Sequence, residues 1–155
     1  PYMRDSTDHP ASLSSADLLK VCIETRTRRS GPGGQHRNKT ETAVVLLHQP
    51  TGIRAEASER RSQAENRSVA LQRLRMKLAL EHRAPPSPGP SERWYSRRRG
   101  QQLMVSARHD DYPALVAEAL DQLVAQGLDM QRVSEILGVT ATQLQNVFRR
   151  SPQAW

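Results

Sequence analysis

The sequence predicts an α+β fold: a small three-stranded sheet with a covering helix, then a proline-rich linker and a three-helix unit. Three observations predict it. Side chains alternate in polarity over residues 22–28, as in a strand buried on one side. Two short apolar runs flank a Gln-Pro-Thr-Gly turn at residues 49–52, as in a β-hairpin. Alanine and leucine then recur at helical spacing over residues 70–78. A four-stranded sheet is the alternative.

The elements of the first half follow from local signals. Ser14 and Asp17 place a hydroxyl cap and a carboxylate at the start of a short helix. The strand after it has two faces, one with Ile23, Thr25 and Thr27 and the other with Glu24, Arg26 and Arg28. Residues 43–47 and 53–57 are the hairpin strands. A capping box at residues 62–65 opens the covering helix, whose apolar positions are Ala70, Leu71, Leu74 and Leu78.

A proline-rich segment separates the two halves of the chain. Residues 84–90 read Ala-Pro-Pro-Ser-Pro-Gly-Pro, which predicts an extended, semi-stiff linker because proline cannot continue a helix or donate to a ladder. Arginines then surround an adjacent Trp94–Tyr95 pair. This mixture can bind phosphates and stack on bases. The alternative is that the stretch is solvated and Trp94 packs on the domain.

Three helix signals occupy the last third. Pro113 opens the first helix and Gly127 ends it; Asp129 and Gly138 bound the second; Thr140 caps the third. The junction at residues 137–140 resembles the turn of a helix-turn-helix unit. We therefore divide the chain into a flexible N-terminus (1–12), a first domain (13–83), a proline-rich then basic linker (84–108) and a helical unit (109–155).

The charge is uneven along the chain. The sequence carries 23 lysines and arginines against 16 aspartates and glutamates, a net charge of +7. Residues 13–83 hold fourteen basic and seven acidic side chains, whereas residues 109–155 hold three and six. Basic surfaces attract nucleic acid, so we expect RNA to contact the first domain and the linker. The acidity of the last third argues against nucleic-acid reading there, and leaves protein contact or simple packing as its alternatives.

Several classes of protein are not expected. No apolar run is long enough for a membrane span, and the polar opening residues do not resemble a secretory leader, so we expect a cytoplasmic protein with no membrane partner. The single cysteine, Cys22, allows neither an internal disulfide nor a thiolate zinc cluster.

Residues 31–40, Gly-Pro-Gly-Gly-Gln-His-Arg-Asn-Lys-Thr, are the most informative stretch. They nearly match the phosphate-binding loop of nucleotide hydrolases, but Asn38 replaces the second glycine and a strand follows instead of a helix. Adjacent glycines permit a close approach to another molecule and can present the next N–H as a fixed donor. Gln35 then lies at the point of contact, and its neutral amide can position water but is a poor nucleophile. His36 as a general base is the weaker alternative.

Three segments in this order resemble a known family. Residues 30–40, the Pro-Thr-Gly-Ile segment at 50–53 and the Glu-Arg-Arg-Ser-Gln-Ala-Glu-Asn-Arg segment at 59–67 are similar to the catalytic domain of class I peptide-chain release factors and their short ribosome-rescue relatives. The resemblance covers about half of the chain. It implies that the loop enters the peptidyl-transferase centre of the large ribosomal subunit, with ribosomal RNA and peptidyl-tRNA as partners. The resemblance implies neither a metal nor an organic cofactor.

The resemblance also implies the chemistry. Gly33, Gly34 and Gln35 would help water to cleave the ester between peptide and tRNA, with the Gln35 backbone N–H bonded to the leaving ribose oxygen or the developing oxyanion. In the family the side chain of this glutamine is commonly methylated. The residues that we expect to contact RNA are Arg28, Arg29, His36, Arg37, Lys39, Arg60, Arg61, Arg67, Arg97, Arg98 and Arg99.

The chain departs from the family in three respects. Arg37 replaces the valine that is usual after the Gly-Gly-Gln-His portion. Release factors have further domains that read stop codons, for which 155 residues leave no room, so we expect codon-independent release on stalled ribosomes or free large subunits. One group of rescue relatives has a Lys/Arg-rich tail, whereas this tail is acidic and predicted to be helical. The rival hypotheses are a noncatalytic RNA-binding regulator whose C-terminal helices dock a protein partner, and a transcriptional regulator that uses the helix-turn-helix-like unit.

Overall fold

The computed structural model describes residues 8–27 and 42–150 of the chain. They form two compact units. The first spans Leu13–Leu78; the second comprises the described residues from Ala79 onward and those before Leu13. The glycine-rich residues 31–40 lie outside the described ranges. Within those ranges no helix is long and apolar enough to cross a membrane.

The first unit is a three-stranded antiparallel sheet with helices. Its elements are α1 (Ser15–Lys20), β1 (Cys22–Thr27), β2 (Ala43–His48), β3 (Arg54–Ala57) and α2 (Gln63–Glu81), whose last turn reaches beyond the unit boundary. The strand order is β1-β2-β3. Ser14 caps α1 as predicted, and the Ser62 hydroxyl accepts from the Glu65 N–H at 3.0 Å at the start of α2. The predicted sheet and covering helix are confirmed.

The core of this unit lies between β2, β3 and α2. Val44 and Leu46 on β2 are fully buried, and so are Ala70, Leu74 and Leu78 on α2, the helix positions expected from their spacing. Burial of each such leucine stabilises the fold by about 1.5–3 kcal/mol. The helix therefore covers the sheet through its predicted apolar stripe.

The buried side of β1 is the one that bears Glu24. Glu24 is paired with Leu46 across the sheet, and residues paired in this way share a face. Ile23, on the opposite face, keeps 46% of its surface exposed. The alternation correctly predicts a strand, but the apolar residue does not mark the buried side, because Glu24 has an ionic partner on α2.

The second unit is mostly helical. A short 3₁₀ helix (Pro10–Ser12) is followed, after Ala79, by α3 (Glu92–Arg97), β4 (Arg98–Arg99), β5 (Gln102–Leu103), α4 (Tyr112–Ala125), α5 (Met130–Leu137) and α6 (Ala141–Arg149). Strands β4 and β5 form a second, two-stranded sheet. The three predicted C-terminal helices are present, with Gly127 and Gly138 at positive φ after the first two. The α+β class is confirmed, and the second small sheet is an addition to it.

Trp94 organises this unit. Its ring is fully buried, and its Nε1 donates to the carbonyl oxygen of Leu137 at 2.9 Å. A buried indole N–H needs such an acceptor. Trp94 is thus packed against protein, as in the alternative, but the contact lies within the second unit and the stretch around it is partly helical rather than simply solvated. The predicted linker, residues 84–108, contains α3, β4 and β5. The predicted boundaries of independent domains stay predictions.

Candidate functional site: the loop stem

The ends of the glycine-rich connection are held side by side. Thr27, the last residue of β1, is paired with Ala43, the first residue of β2. We call the region around these two residues the loop stem. Because the two strands are hydrogen-bonded neighbours, residues 28–42 connect two points a single strand spacing apart, about 5 Å. Gly33, Gly34 and Gln35 belong to this connection, outside the described residues, so their catalytic role stays a prediction.

Asn66 anchors the β2 side of the loop stem. Its side chain is fully buried and uses both of its functional groups. The amide nitrogen donates to the carbonyl oxygens of Thr42 at 2.7 Å and Arg60 at 3.1 Å, and the amide oxygen accepts from the Arg60 N–H at 2.9 Å. The first turn of α2 therefore fixes both the entry to β2 and the segment that leads into the helix.

An ion pair anchors the β1 side. The Arg67 guanidinium donates to both carboxylate oxygens of Glu24, with Nε–Oε1 at 2.5 Å and Nη2–Oε2 at 3.0 Å. Arg26 adds a contact from Nε to Oε2 at 3.2 Å. The hydrogen bond from Arg67 holds the pKa of Glu24 below its usual value, and Glu24 in turn raises the pKa of Arg67. A two-point Arg–carboxylate contact fixes orientation as well as distance.

Two of the predicted RNA-contacting residues lie beside this stem. Arg60 and Arg61 are exposed in the segment that Asn66 fixes. Arg67 is only partly exposed, and its guanidinium is engaged by Glu24. Arg28, Arg29, His36, Arg37 and Lys39 lie outside the described residues. In the described part of the stem, Arg60 and Arg61 are thus exposed to solvent, while Arg67 links β1 to α2.

Arg97, Arg98 and Arg99 belong to the second unit, where two of them have structural roles. Arg97 donates to the Asp111 carboxylate at 2.8 Å, whereas the Arg98 guanidinium lies 5.0 Å from the centre of the Tyr95 ring and donates to the Leu137 carbonyl at 3.4 Å. Arg99 is exposed and donates to the carbonyls of Ser96 and Arg98. Their contacts with RNA stay predictions; the structure gives all three arginines partners within the unit.

Within residues 8–27 and 42–150, no cluster of three or more His, Cys, Asp or Glu side chains is placed to hold a metal ion. Cys22 is half-buried, and this burial raises the pKa of its thiol. A raised thiol pKa lowers the fraction of the reactive thiolate. The described residues therefore hold the two ends of the loop, and the candidate catalytic residues lie within residues 28–41.

The RF-1 domain family matches residues 17–112, more than half of the chain. The chain belongs to the RF-1 domain family. Its relatives include peptide chain release factor 1 of Acidovorax sp. strain JS42, 45% identical over 83 residues, which are 53% of this chain and 22% of the relative. Peptide chain release factor 1-like, mitochondrial, of Mus musculus is 48% identical over 60 residues, 39% of this chain and 16% of the relative.

A third relative, peptide chain release factor 2 of the same Acidovorax strain, is 59% identical over 51 residues, 33% of this chain and 14% of the relative. The chain matches about a fifth or less of the length of these proteins. The RF-1 domain match ends at residue 112, so α5 and α6 lie beyond it.

The roles of Glu24 and Asn66 were not predicted from the sequence. A signal for Asn66 was present, because it precedes Ala70, Leu74 and Leu78 at intervals of four and therefore lies on the buried stripe of α2. A polar residue on such a stripe needs hydrogen-bond partners. No comparable signal marks Glu24, whose partner Arg67 is 43 residues away along the chain.

Proposed function

We propose that this chain hydrolyses the ester of peptidyl-tRNA on the ribosome, with Gly33, Gly34 and Gln35 at the reacting centre. The observation that carries the proposal is the RF-1 domain match over residues 17–112, a range that includes this tripeptide. The matched relatives are named as peptide chain release factors. The anchored loop stem supports it, because a loop that must deliver a backbone N–H to an ester needs fixed ends.

The proposed reaction uses water as the nucleophile. Water adds to the ester carbonyl, the bond between that carbon and the ribose oxygen breaks, and the ribose oxygen takes up a proton. The Gln35 N–H stabilises the charge that develops on oxygen, an interaction that in other enzymes contributes about 2.7–4 kcal/mol. Gly33 and Gly34 have no side chains to block the approach. The Gln35 side chain admits water and excludes larger nucleophiles.

Binding to ribosomal RNA is the proposed source of affinity. Arg60 and Arg61 are exposed next to the loop stem, and five further basic or histidine residues occur within residues 28–41: Arg28, Arg29, His36, Arg37 and Lys39. Contacts with phosphates release counterions, so affinity should fall steeply as salt increases from about 50 to 200 mM. A flat salt dependence would contradict this part of the proposal.

The finer proposal is that release does not require a stop codon. It is tested by measuring peptide release from purified ribosomal complexes that differ only in the decoding site: no codon, a sense codon or a stop codon. We expect release in the absence of a codon and no gain from a stop codon. Release restricted to stop codons would refute codon independence but leave hydrolysis intact. Binding without release from any complex would favour the noncatalytic regulator.

A further inference from the structure

Helices α5 and α6 form a helix-turn-helix unit beyond the RF-1 domain match. Residues 138–140 join them, with Gly138 in the left-handed region at φ 70°. The Thr140 hydroxyl accepts from the Gln143 N–H at 3.1 Å and so caps α6. This short connection through a left-handed glycine is typical of a helix-turn-helix.

The β4–β5 hairpin flanks the start of α6. The Thr140 N–H donates to the Gln101 carbonyl at 3.2 Å, and the Leu103 N–H donates to the Gln143 side-chain oxygen at 3.3 Å. The hairpin tip, including Arg99 and Gln101, is exposed. Hairpin and helix therefore form one continuous surface.

The outward side of α6 bears only polar side chains suited to hydrogen bonding. Leu144, Val147 and Phe148 are buried, while the exposed or half-buried positions along one stripe are Thr142, Gln145, Asn146 and Arg149. Their spacing of three and four places them on one side of the helix. Hydroxyl, amide and guanidinium groups are the ones that proteins use to contact nucleic-acid backbones and base edges.

Three of the six acidic side chains in the last third have partners of their own within the second unit. Asp111 pairs with Arg93 and Arg97. Glu118 and Asp121 on α4 accept from the Ser91 and Ala84 N–H groups, respectively.

Residues 130–150 contain three arginines and only one acid, Glu135. The negative net charge of residues 109–155 therefore does not describe the α6 side of the unit.

We propose that the surface of α6 and the β4–β5 hairpin binds RNA. Apart from Arg149, the outward stripe of α6 lacks the Trp, Tyr and Arg side chains that most often anchor protein interfaces. The wide minor groove of RNA offers 2′-hydroxyls and base edges to hydroxyl and amide side chains, and looped bases stack on aromatic rings. Tyr95 is 52% exposed, and Arg98 lies over its ring. Arg98 also reaches the Leu137 carbonyl, next to the turn.

The proposal goes beyond peptide release and does not depend on it. With few cations on this surface, its attraction to phosphate is weak, so the isolated contact should also be weak. Tethering to a domain that is already bound raises the effective concentration of such a module to about the millimolar range. A weak RNA contact would then suffice to select a particular ribosomal state.

Site-specific photo-cross-linking of the full chain tests the proposal. The photoreactive p-benzoylphenylalanine replaces Gln145 on α6 in one variant and, as a matched control, the exposed Gln131 on α5 in another. Each variant is irradiated with stalled ribosomes and, separately, with ribosomal RNA stripped of protein. We expect a nuclease-sensitive product from position 145 in both samples, and about five-fold less from position 131.

Three outcomes would overturn the proposal: a product at position 145 that only protease removes, no product at position 145 in either sample, or a product that duplex DNA competes away more effectively than RNA. A cross-link to bare RNA by a chain that releases no peptide would refute the proposed hydrolysis and leave this inference standing. Conversely, a chain that releases peptide but gives no RNA product at position 145 refutes the inference alone. Circular dichroism confirms that both variants are folded.

Discussion

Replacement of Asn66 by alanine tests the anchored loop stem. The substitution removes the three hydrogen bonds that join α2 to Thr42 and Arg60. Arg60 is exposed, so water can replace part of the hydrogen bonding that its backbone loses, whereas the Thr42 carbonyl loses a partner in a half-buried position. An unsatisfied buried group costs about 1–3 kcal/mol, and the vacated amide volume adds to this. We expect the free energy of unfolding to fall by about 2–3 kcal/mol.

Urea unfolding followed by circular dichroism measures this change, provided that the slope with denaturant is the same in both proteins. Ser68→Ala is the matched control, because Ser68 is an exposed residue of the same helix, and we expect a change within about 0.5 kcal/mol. Asn66→Asp keeps the shape of the side chain but places a carboxylate against two carbonyl oxygens. Its free energy of unfolding should therefore fall by at least as much as that of Asn66→Ala. If Asn66→Ala is as stable as the control, the loop stem is not held as described.

Three further predictions concern single side chains. Glu24→Gln weakens the pairing with Arg67 and should lower the free energy of unfolding by about 1 kcal/mol or less above pH 5. This difference from the wild type should disappear in high salt and as pH falls through the lowered pKa of Glu24. Urea titrations at several pH values check this. Gly138→Ala forces an L-residue into positive φ against the Arg98 side chain and should lower the thermal midpoint by several degrees, equivalent to about 1–2 kcal/mol. Burial raises the pKa of Asp121 to about 6, so its contribution to stability falls as pH rises from 4 to 6. Between pH 4 and 6, the free energy of unfolding of Asp121→Asn should therefore rise by about 1–3 kcal/mol relative to that of the wild type. Parallel pH profiles of stability for the two proteins would contradict the raised pKa of Asp121.

Local patterns predict the helices and strands well, because their signals lie within a few residues of each other. The spacing of Ala70, Leu74 and Leu78 gave the buried stripe of α2, and Thr140 and Gly138 gave the boundaries of the last two helices. The second sheet was missed because β4 and β5 contain only two residues each. Strands of this length have no measurable alternation.

Long-range partners explain what the sequence could not reveal. The polarity of β1 alone does not indicate that Glu24 is on the buried side, since this depends on Arg67. Similarly, the role of Trp94 depends on the carbonyl of Leu137, 43 residues later. The tripeptide to which we assign catalysis was predicted from its motif and family resemblance, whereas the residues that hold the neighbouring strands are evident only from tertiary contacts.

The most direct test of the proposed hydrolysis is the single-turnover rate of peptide release from purified stalled ribosomes by the wild type and Gly34→Val. Under the proposed mechanism, a side chain at this position would block the close approach of the Gln35 N–H to the ester. Loss of one such donor reduces rates by about 100-fold or more, so we expect a decrease of at least this size with binding to ribosomes retained. Equal release rates for the two proteins would contradict the role assigned to the Gly33-Gly34-Gln35 loop.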